Sequence, residues 1–413
     1  MFAIMLTTQT LVSPHVPKNE FERLVELSNY DLDYSSLEGH FKDLTKLAAK
    51  IAGTEISLIN LIDSFTQWSV AGYGFPAVQM DREETVCQYT ILGDSPFEVR
   101  DLSDDVRFKE KTFVKEEPKL RYYWGIPLAT PNGHNLGALC VLDKKMKTIS
   151  PEKVEMLRII GDEIVSRLSL LRDMDELKKS MSTIREDHKR VAHDIRGPIG
   201  GIIGLAQILQ DQGDDNNLEE VLEFIHLIKK SGKSLLEMAD DVLSQNFHSR
   251  NRPKLNKKLE YNLFTLKEKI YDLYAVQAKQ KEVALSVHLK SQNGDIPFPK
   301  NKLLQILGNL ISNAIKFTPK YGNVEMHLSL AEKEDGNWLI VSVRDNGLGI
   351  SQERIQEILS GKTNSSQGTK GEKGYGFGLP LVKHLVDTYH GKIKIKSELG
   401  LYSLFLVRLP VGR

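Results

Sequence analysis

His193 lies in Val191-Ala192-His193-Asp194-Ile195-Arg196-Gly197-Pro198, where the apolar residues have helical spacing. A neutral imidazole carries a nitrogen lone pair near pH 7 and can attack phosphorus. Its phosphoramidate is labile, which suits a relay. Asp194 follows directly. A neighbouring carboxylate can hold the second ring nitrogen and accept a proton. Adjacent side chains do not face each other on an ideal helix, so that pairing needs a favourable rotamer. Further on, Asn309 and Asn313 stand one helical turn apart, opposite Ile306, Leu310 and Ala314. Two amide oxygens on one face suit Mg²⁺, which keeps waters and shares phosphate oxygens. Lys316 can reach phosphates as a point charge. Gly374-Tyr375-Gly376-Phe377-Gly378-Leu379 precedes a predicted helix, Leu381–Tyr389. Glycines there expose backbone N–H groups to a phosphate. Asp345-Asn346-Gly347-Leu348-Gly349 follows an apolar strand. Alone, it is also good surface-turn chemistry.

The elements that must carry these residues are legible from periodicity. Ser150 and Pro151 open a helix, as a cap and a first-turn proline. Its apolar positions run Leu157, Ile160, Ile164, Leu168, Leu171, Met174, Leu177, Met181, Ile184, His188, Val191, Ile195. From Leu177 the steps alternate as a coiled coil requires; upstream the rhythm breaks, which alters supercoiling locally. The helix continues through Ile208, with Pro198 bending it, and Gln210–Asn217 is a polar turn. A second amphipathic helix spans Leu218 to Leu243. Two such helices cannot bury their apolar faces alone, and two copies make a four-helix bundle. Beyond residue 256, strands are predicted at Leu285–Leu289, Val324–Leu330, Leu339–Arg344, Lys392–Ser397 and Ser403–Leu409, alternating with Leu- and Ile-rich helices. This reads as an α/β sandwich.

In order and spacing these motifs resemble a sensor histidine kinase of a two-component system, over about residues 185–413. The resemblance implies a dimerisation and phosphoacceptor domain followed by a Bergerat-type ATP domain, a fold shared with gyrase. A P-loop and the protein-kinase signatures are both missing from the sequence. By resemblance, His193 takes the γ-phosphoryl group of ATP and Asp194 is its acidic neighbour. Asn313, with Asn309, holds Mg²⁺. Asp345 accepts from the adenine amino group, while Gly347 and Gly349 let backbone approach the base. Lys316, Gly374, Gly376, Gly378 and Leu379 complete the nucleotide site. Ser351–Lys373 would be the ATP lid, with Ile358-Leu359 where an aromatic box often stands. The fourth residue after the histidine is often Thr or Asn in the family, positioning a water for dephosphorylation of the partner. Here it is Gly197.

The front reads as helices over Phe21–Leu27 and Phe41–Ile51, then strands at Ile56–Asp63, Gln67–Val70, Tyr123–Leu128 and Leu136–Asp143, with a turn at Pro131–His134. An antiparallel α+β domain follows. It resembles a GAF domain, through Val86-Cys87-Gln88-Tyr89-Thr90-Ile91, Val99-Arg100-Asp101-Leu102 and Arg121–Leu128 with Gly137–Cys140. Such domains bind small molecules or transmit strain, and no ligand is assignable. Gln88 after Cys87 breaks the Cys-His pair of bilin-binding members, so a small buried thiol is expected there. Trp68 and Trp124 are expected to pack rather than to stack on a ligand.

The expected architecture is therefore multidomain α+β. An extension (1–17) precedes a GAF-like sensor (18–172), a coiled coil with the dimerisation and phosphotransfer hairpin (173–250), and the ATP domain (256–413). The 413 residues carry 55 basic and 55 acidic side chains, so no global charge draws the chain to nucleic acid or an anionic membrane. Two cysteines make no disulfide framework and fit a reducing compartment. No apolar run approaches the ~20 residues of a membrane helix. The expectation is a cytoplasmic homodimer using ATP and Mg²⁺, with a separate response regulator receiver domain as partner and an unknown signal at the front domain. Two other readings stay open: an ATP-binding scaffold without catalysis, and an ATPase or serine-directed kinase on the same ATP fold.

Overall fold

A computed structural model of the chain describes residues 16–30, 37–212, 217–243, 260–290, 294–300, 302–333, 336–360, 369 and 376–411. These fall into two compact units. One joins the chain up to Arg172 with the residues from Leu255 on, and the other is Asp173–Lys254.

In the first unit, α1 (Glu20–Asn29) and α2 (Glu38–Ala52) precede β1 (Ile56–Ile62), β2 (Thr66–Tyr73) and β3 (Gln79–Asp81). The short α3 (Cys87–Thr90), β4 (Phe97–Val99) and α4 (Thr112–Lys115) lead to β5 (Tyr122–Ala129) and β6 (Asn135–Asp143). The sheet has the order β3-β2-β1-β6-β5-β4 and every pairing is antiparallel. One face packs Ile59 and Leu139 against Phe41 and Leu44 of α2 and Ile160 and Ile164 of α5 (Pro151–Gln212). The other face gathers Cys87, Phe108, Tyr123 and Cys140. Both faces are covered, so β5 and β6 are apolar on both sides and show no alternation.

The C-terminal half of this unit begins with β7 (Glu260–Tyr261) and α7 (Leu263–Lys281), which opens on a reciprocal cap between Asn262 and Thr265. Then come β8 (Ala284–Leu289), β9 (Phe298–Pro299), α8 (Leu303–Phe317), β10 (Asn323–Lys333) and β11 (Gly336–Asp345). The chain ends through α9 (Gln352–Leu359), α10 (Gly378–Thr388), β12 (Lys392–Glu398) and β13 (Tyr402–Pro410). The main sheet is β12-β13-β11-β10-β8, with β10 and β8 parallel and the rest antiparallel. Val341, Val343 and Val407 pack on Ile306 and Leu310 of α8 and Leu381 of α10. β11 alternates buried and half-buried positions, as a sheet covered on one face does. Residues 351–373 were expected as a polar ATP lid, without a helix being assigned in them. Their first part forms α9, capped by Ser351 and anchored by buried Ile355 and Ile358. Two apolar side chains one turn apart stabilise a helix even within a polar stretch.

The two halves of this unit share an apolar cluster that includes Leu24 and Trp68. Trp68 meets Tyr274 of α7 edge to face, with ring centroids 6.2 Å apart. Gln277 Nε2 donates to Asp81 Oδ1 at 3.0 Å, and Lys302 Nζ to Asn29 Oδ1 at 2.9 Å.

The second unit comprises the rest of α5, which runs through Pro198, and α6 (Leu218–Leu243). The helices leave Leu177, Met181, Ile203, Leu222 and Leu236 exposed.

Candidate active site

Helix α8 is apolar enough to be buried all round, so its polar side chains are enclosed as well. Asn309 is 3% and Asn313 5% exposed. That differs from an apolar face opposed to a solvated one, because the front half of the unit covers the polar face. Asn309 Nδ2 donates to the Gln305 carbonyl at 2.8 Å, and its Oδ1 accepts from Ser64 Oγ of the front sheet. Asn313 Nδ2 has no hydrogen-bond partner among the described residues. A buried amide without a partner is expensive unless a ligand or water meets it.

Asn313 borders a cavity of about 540 Å³ together with Asp345, Gly349, Gly376, Gly378 and Leu379. Asp345, at the end of β11, is 2% exposed and accepts from the Gly347 backbone N–H at 3.0 Å. Burial raises its carboxyl pKa to about 6, against the lowering effect of bonds from Gly347 and Ser403. Gly349 has φ +68, and a Cβ there would overlap the Glu398 carbonyl; one on Gly347 would overlap that of Phe317. Ala314, Phe317, Ile350 and Phe405 supply apolar wall. A mostly apolar cavity with a few convergent polar groups is the common form of a small-molecule site. The Gly376–Leu379 run opens α10 at this cavity, with Gly376 at φ +82. Its backbone N–H groups can therefore meet an anion.

Lys316 and Asn309 do not border this cavity. Lys316 lines a smaller neighbour of about 330 Å³ with Glu83 and Glu84, and its Nζ is 3.5 Å from Glu83 Oε1. Phe65 borders both cavities, and Lys316 Nζ lies 5.4 Å from its ring centroid. Gly374 lies outside the described residues. His193 and Asp194 are on α5, and their side chains also lie outside the description. Ser64, Phe65 and Glu83 were not anticipated. They belong to hairpin and turn segments whose local sequence carries no sign of a distant partner.

A family model described as "His Kinase A (phospho-acceptor) domain" matches residues 188–246. Another, "Histidine kinase-, DNA gyrase B-, and HSP90-like ATPase", matches residues 299–413. The chain thus carries a phospho-acceptor module followed by an ATPase module of the histidine-kinase type. It is similar to "Autoinducer 2 sensor kinase/phosphatase LuxQ" of Vibrio vulnificus, with 31% identity over 58% of this chain and 28% of that protein. It is also similar to "Histidine protein kinase DivJ" of Caulobacter vibrioides, with 30% identity over 54% of this chain and 36% of that protein. A third likeness, 33% over 39% of this chain and 28% of the relative, is to "Cyclic di-GMP phosphodiesterase PA2567" of Pseudomonas aeruginosa. The matches thus span little more than a third of these relatives at most. The front sheet borders a second cavity, about 630 Å³, lined by Asn60, Trp68, Cys87, Tyr123 and Cys140. Its far wall is Leu273 and Val276 of α7. Both thiols are free and buried, with Sγ atoms 3.7 Å apart, and Asn60 Nδ2 donates to Cys87 at 3.2 Å.

Proposed function

We propose that this chain transfers the γ-phosphoryl group of ATP to His193 and passes it to an aspartate of a separate response regulator. The observation that carries this reading is one cavity that gathers Asn313, Asp345, Gly376 and Gly378, on a chain whose long helix α5 includes position 193. At pH 7 Asp345 is above its pKa of about 6, so its carboxylate can accept from the adenine amino group. The glycine run faces phosphates with N–H groups. Asn313, with Asn309, would hold Mg²⁺, which neutralises charge on the transferred group. The unpartnered Asn313 Nδ2 is a donor and so suits a phosphate oxygen, while the metal would take Oδ1. A ring nitrogen of His193 forms the bond to phosphorus as the bond to the leaving ADP oxygen breaks. Asp194 steadies the ring and takes its proton.

The front domain is read as a GAF-type sensor, supported by its antiparallel sheet with a ligand-sized cavity. The exposed apolar residues of α5 and α6 support dimerisation through a four-helix bundle. We place the homodimer in the cytoplasm, where ATP and reduced thiols are found. Among the described residues no helix is long and apolar enough to cross a membrane.

Incubation with labelled ATP should give acid-labile, alkali-stable protein label. His193→Gln should abolish the label and leave nucleotide binding intact. Label that survives in that variant, or that is acid-stable, would favour the ATPase or serine-directed reading. Binding without any label would favour a scaffold.

A further inference from the structure

We propose that the β1–β2 turn of the front domain, Asp63-Ser64-Phe65, is an autoinhibitory plug that covers the phosphate end of the nucleotide site. This deepens the reading of that cavity as the ATP site and rests on it. Three groups of the site are engaged at once. Ser64 Oγ donates to Asn309 Oδ1, so one of the two amide oxygens assigned to the metal is already taken. The Phe65 ring borders the cavity beside Asp345 and Asn313 and lies directly on Gly378, where any Cβ would overlap it. A ring edge there covers the N-terminal turn of α10, where phosphate oxygens would sit. Lys316 is turned toward Glu83 and the same ring, away from the main cavity.

The turn is built to hold this position. Glu20, Arg23 and Arg82 form a cluster with fully buried side chains, with Glu20 oxygens 2.8 Å from Arg23 Nε and 2.5 Å from Arg82 Nη1. Arg23 Nη1 donates to the Ile62 carbonyl at 2.7 Å, and Arg82 Nη1 to that of Asp63 at 3.1 Å. The Arg82 backbone N–H donates to the Phe65 carbonyl at 2.8 Å. Both sides of the turn are therefore fixed before it meets α8. The interface beyond it, Trp68 on Tyr274 and Asp81 with Gln277, keeps the two halves registered. The Phe65 ring covers the N–H groups, Ser64 takes the amide oxygen and Glu83 draws Lys316 aside, so nucleotide and plug exclude one another. Apparent nucleotide affinity then falls by the fraction of molecules that are open.

The test is titration of the full chain with a fluorescent ATP analogue and Mg²⁺, comparing the parent with Phe65→Ala and with Ser64→Ala. A site closed in nine molecules of ten predicts about a tenfold gain in affinity for Phe65→Ala. Ser64→Ala should move the same way by less. Amide hydrogen exchange at residues 64–66 and 274–281 in the parent should quicken when nucleotide saturates. Parental affinity in both variants, with exchange unchanged by nucleotide, overturns the plug while leaving the ATP site standing. Failure of parent and variants alike to bind at any concentration overturns the ATP-site reading, and the plug with it.

Discussion

Replacing Glu20 by glutamine should unseat the β1–β2 hairpin, and its size can be worked from the charges around it. Burial alone would raise the Glu20 pKa. Arg23 and Arg82 outweigh it and hold it near 2, against an ordinary 4.5. At about 1.4 kcal/mol for each pH unit, the ionised form contributes about 3 kcal/mol to folding. Between pH 4.5 and 2 the folded Glu20 is ionised while the unfolded one binds a proton. Stability from this group is therefore complete above pH 4.5 and is lost as pH falls toward 2. Asp63 acts with the opposite sign, since burial raises its pKa, and it offsets part of the acid loss. At neutral pH, Glu20→Gln leaves two buried guanidinium groups without their carboxylate, which costs about 3–5 kcal/mol by analogy with other broken buried pairs. The assay is native-state hydrogen exchange of β1 and β2 amides in the full chain. Opening free energies should fall by about 3 kcal/mol or more at pH 7, and the gap between parent and variant should narrow below pH 4.5. A loss under about 1 kcal/mol, as for an exposed pair, would refute the argument.

Asp345 should trade stability for binding. Its carboxyl is protonated in the folded chain between pH 3.8 and about 6 while the unfolded one is ionised, so stability falls as pH rises through that window, by about 3 kcal/mol. Asp345→Asn should therefore stabilise the C-terminal half at pH 7 in denaturant titrations and weaken ATP binding; a destabilised variant that binds like the parent would contradict both signs. In the parent, nucleotide affinity measured by titration should decline below pH 6, and a flat profile down to pH 5 would remove Asp345 from adenine recognition. Gly197 offers no side chain to hold a water and loosens its helix by ~1 kcal/mol relative to alanine. The parent should barely accelerate decay of a phosphorylated receiver domain, and Gly197→Thr should raise that rate; strong acceleration by the parent would show that another group holds the water.

Much of the scaffold was legible because its signals are local. Apolar runs marked β1, β5 and β6, and the strands β11 and β13 were also read from the sequence. Glycine spacing marked the start of α10, and Asp345 and Asn313 were read from short motifs that the fold brings to one cavity. The unread features depend on partners far along the chain. Arg23 and Arg82 look like solvated charges until Glu20 and the Ile62 and Asp63 carbonyls enclose them. Asp63-Ser64-Phe65 is ordinary turn sequence, and its docking on α8 and α10 is a matter of surface shape. Asn309 carried a signal for a cation, but its hydrogen bond to Ser64 had none. Helix α9 was hidden because its two buried isoleucines sit among polar residues.

The front cavity draws one wall from α7, a helix of the opposite half. Its volume is therefore a property of the closed arrangement and not of the front sheet alone. A molecule small enough to fill it touches Leu273 and Val276 only while the halves stay together, so its binding stabilises closure. Reciprocity then applies: the factor by which that molecule weakens nucleotide is the factor by which nucleotide weakens it. A bulkier molecule held by the same front residues cannot coexist with α7 and reverses the sign. Under the proposed plug, the sign of a bound molecule's effect on nucleotide is set by its length measured against Val276.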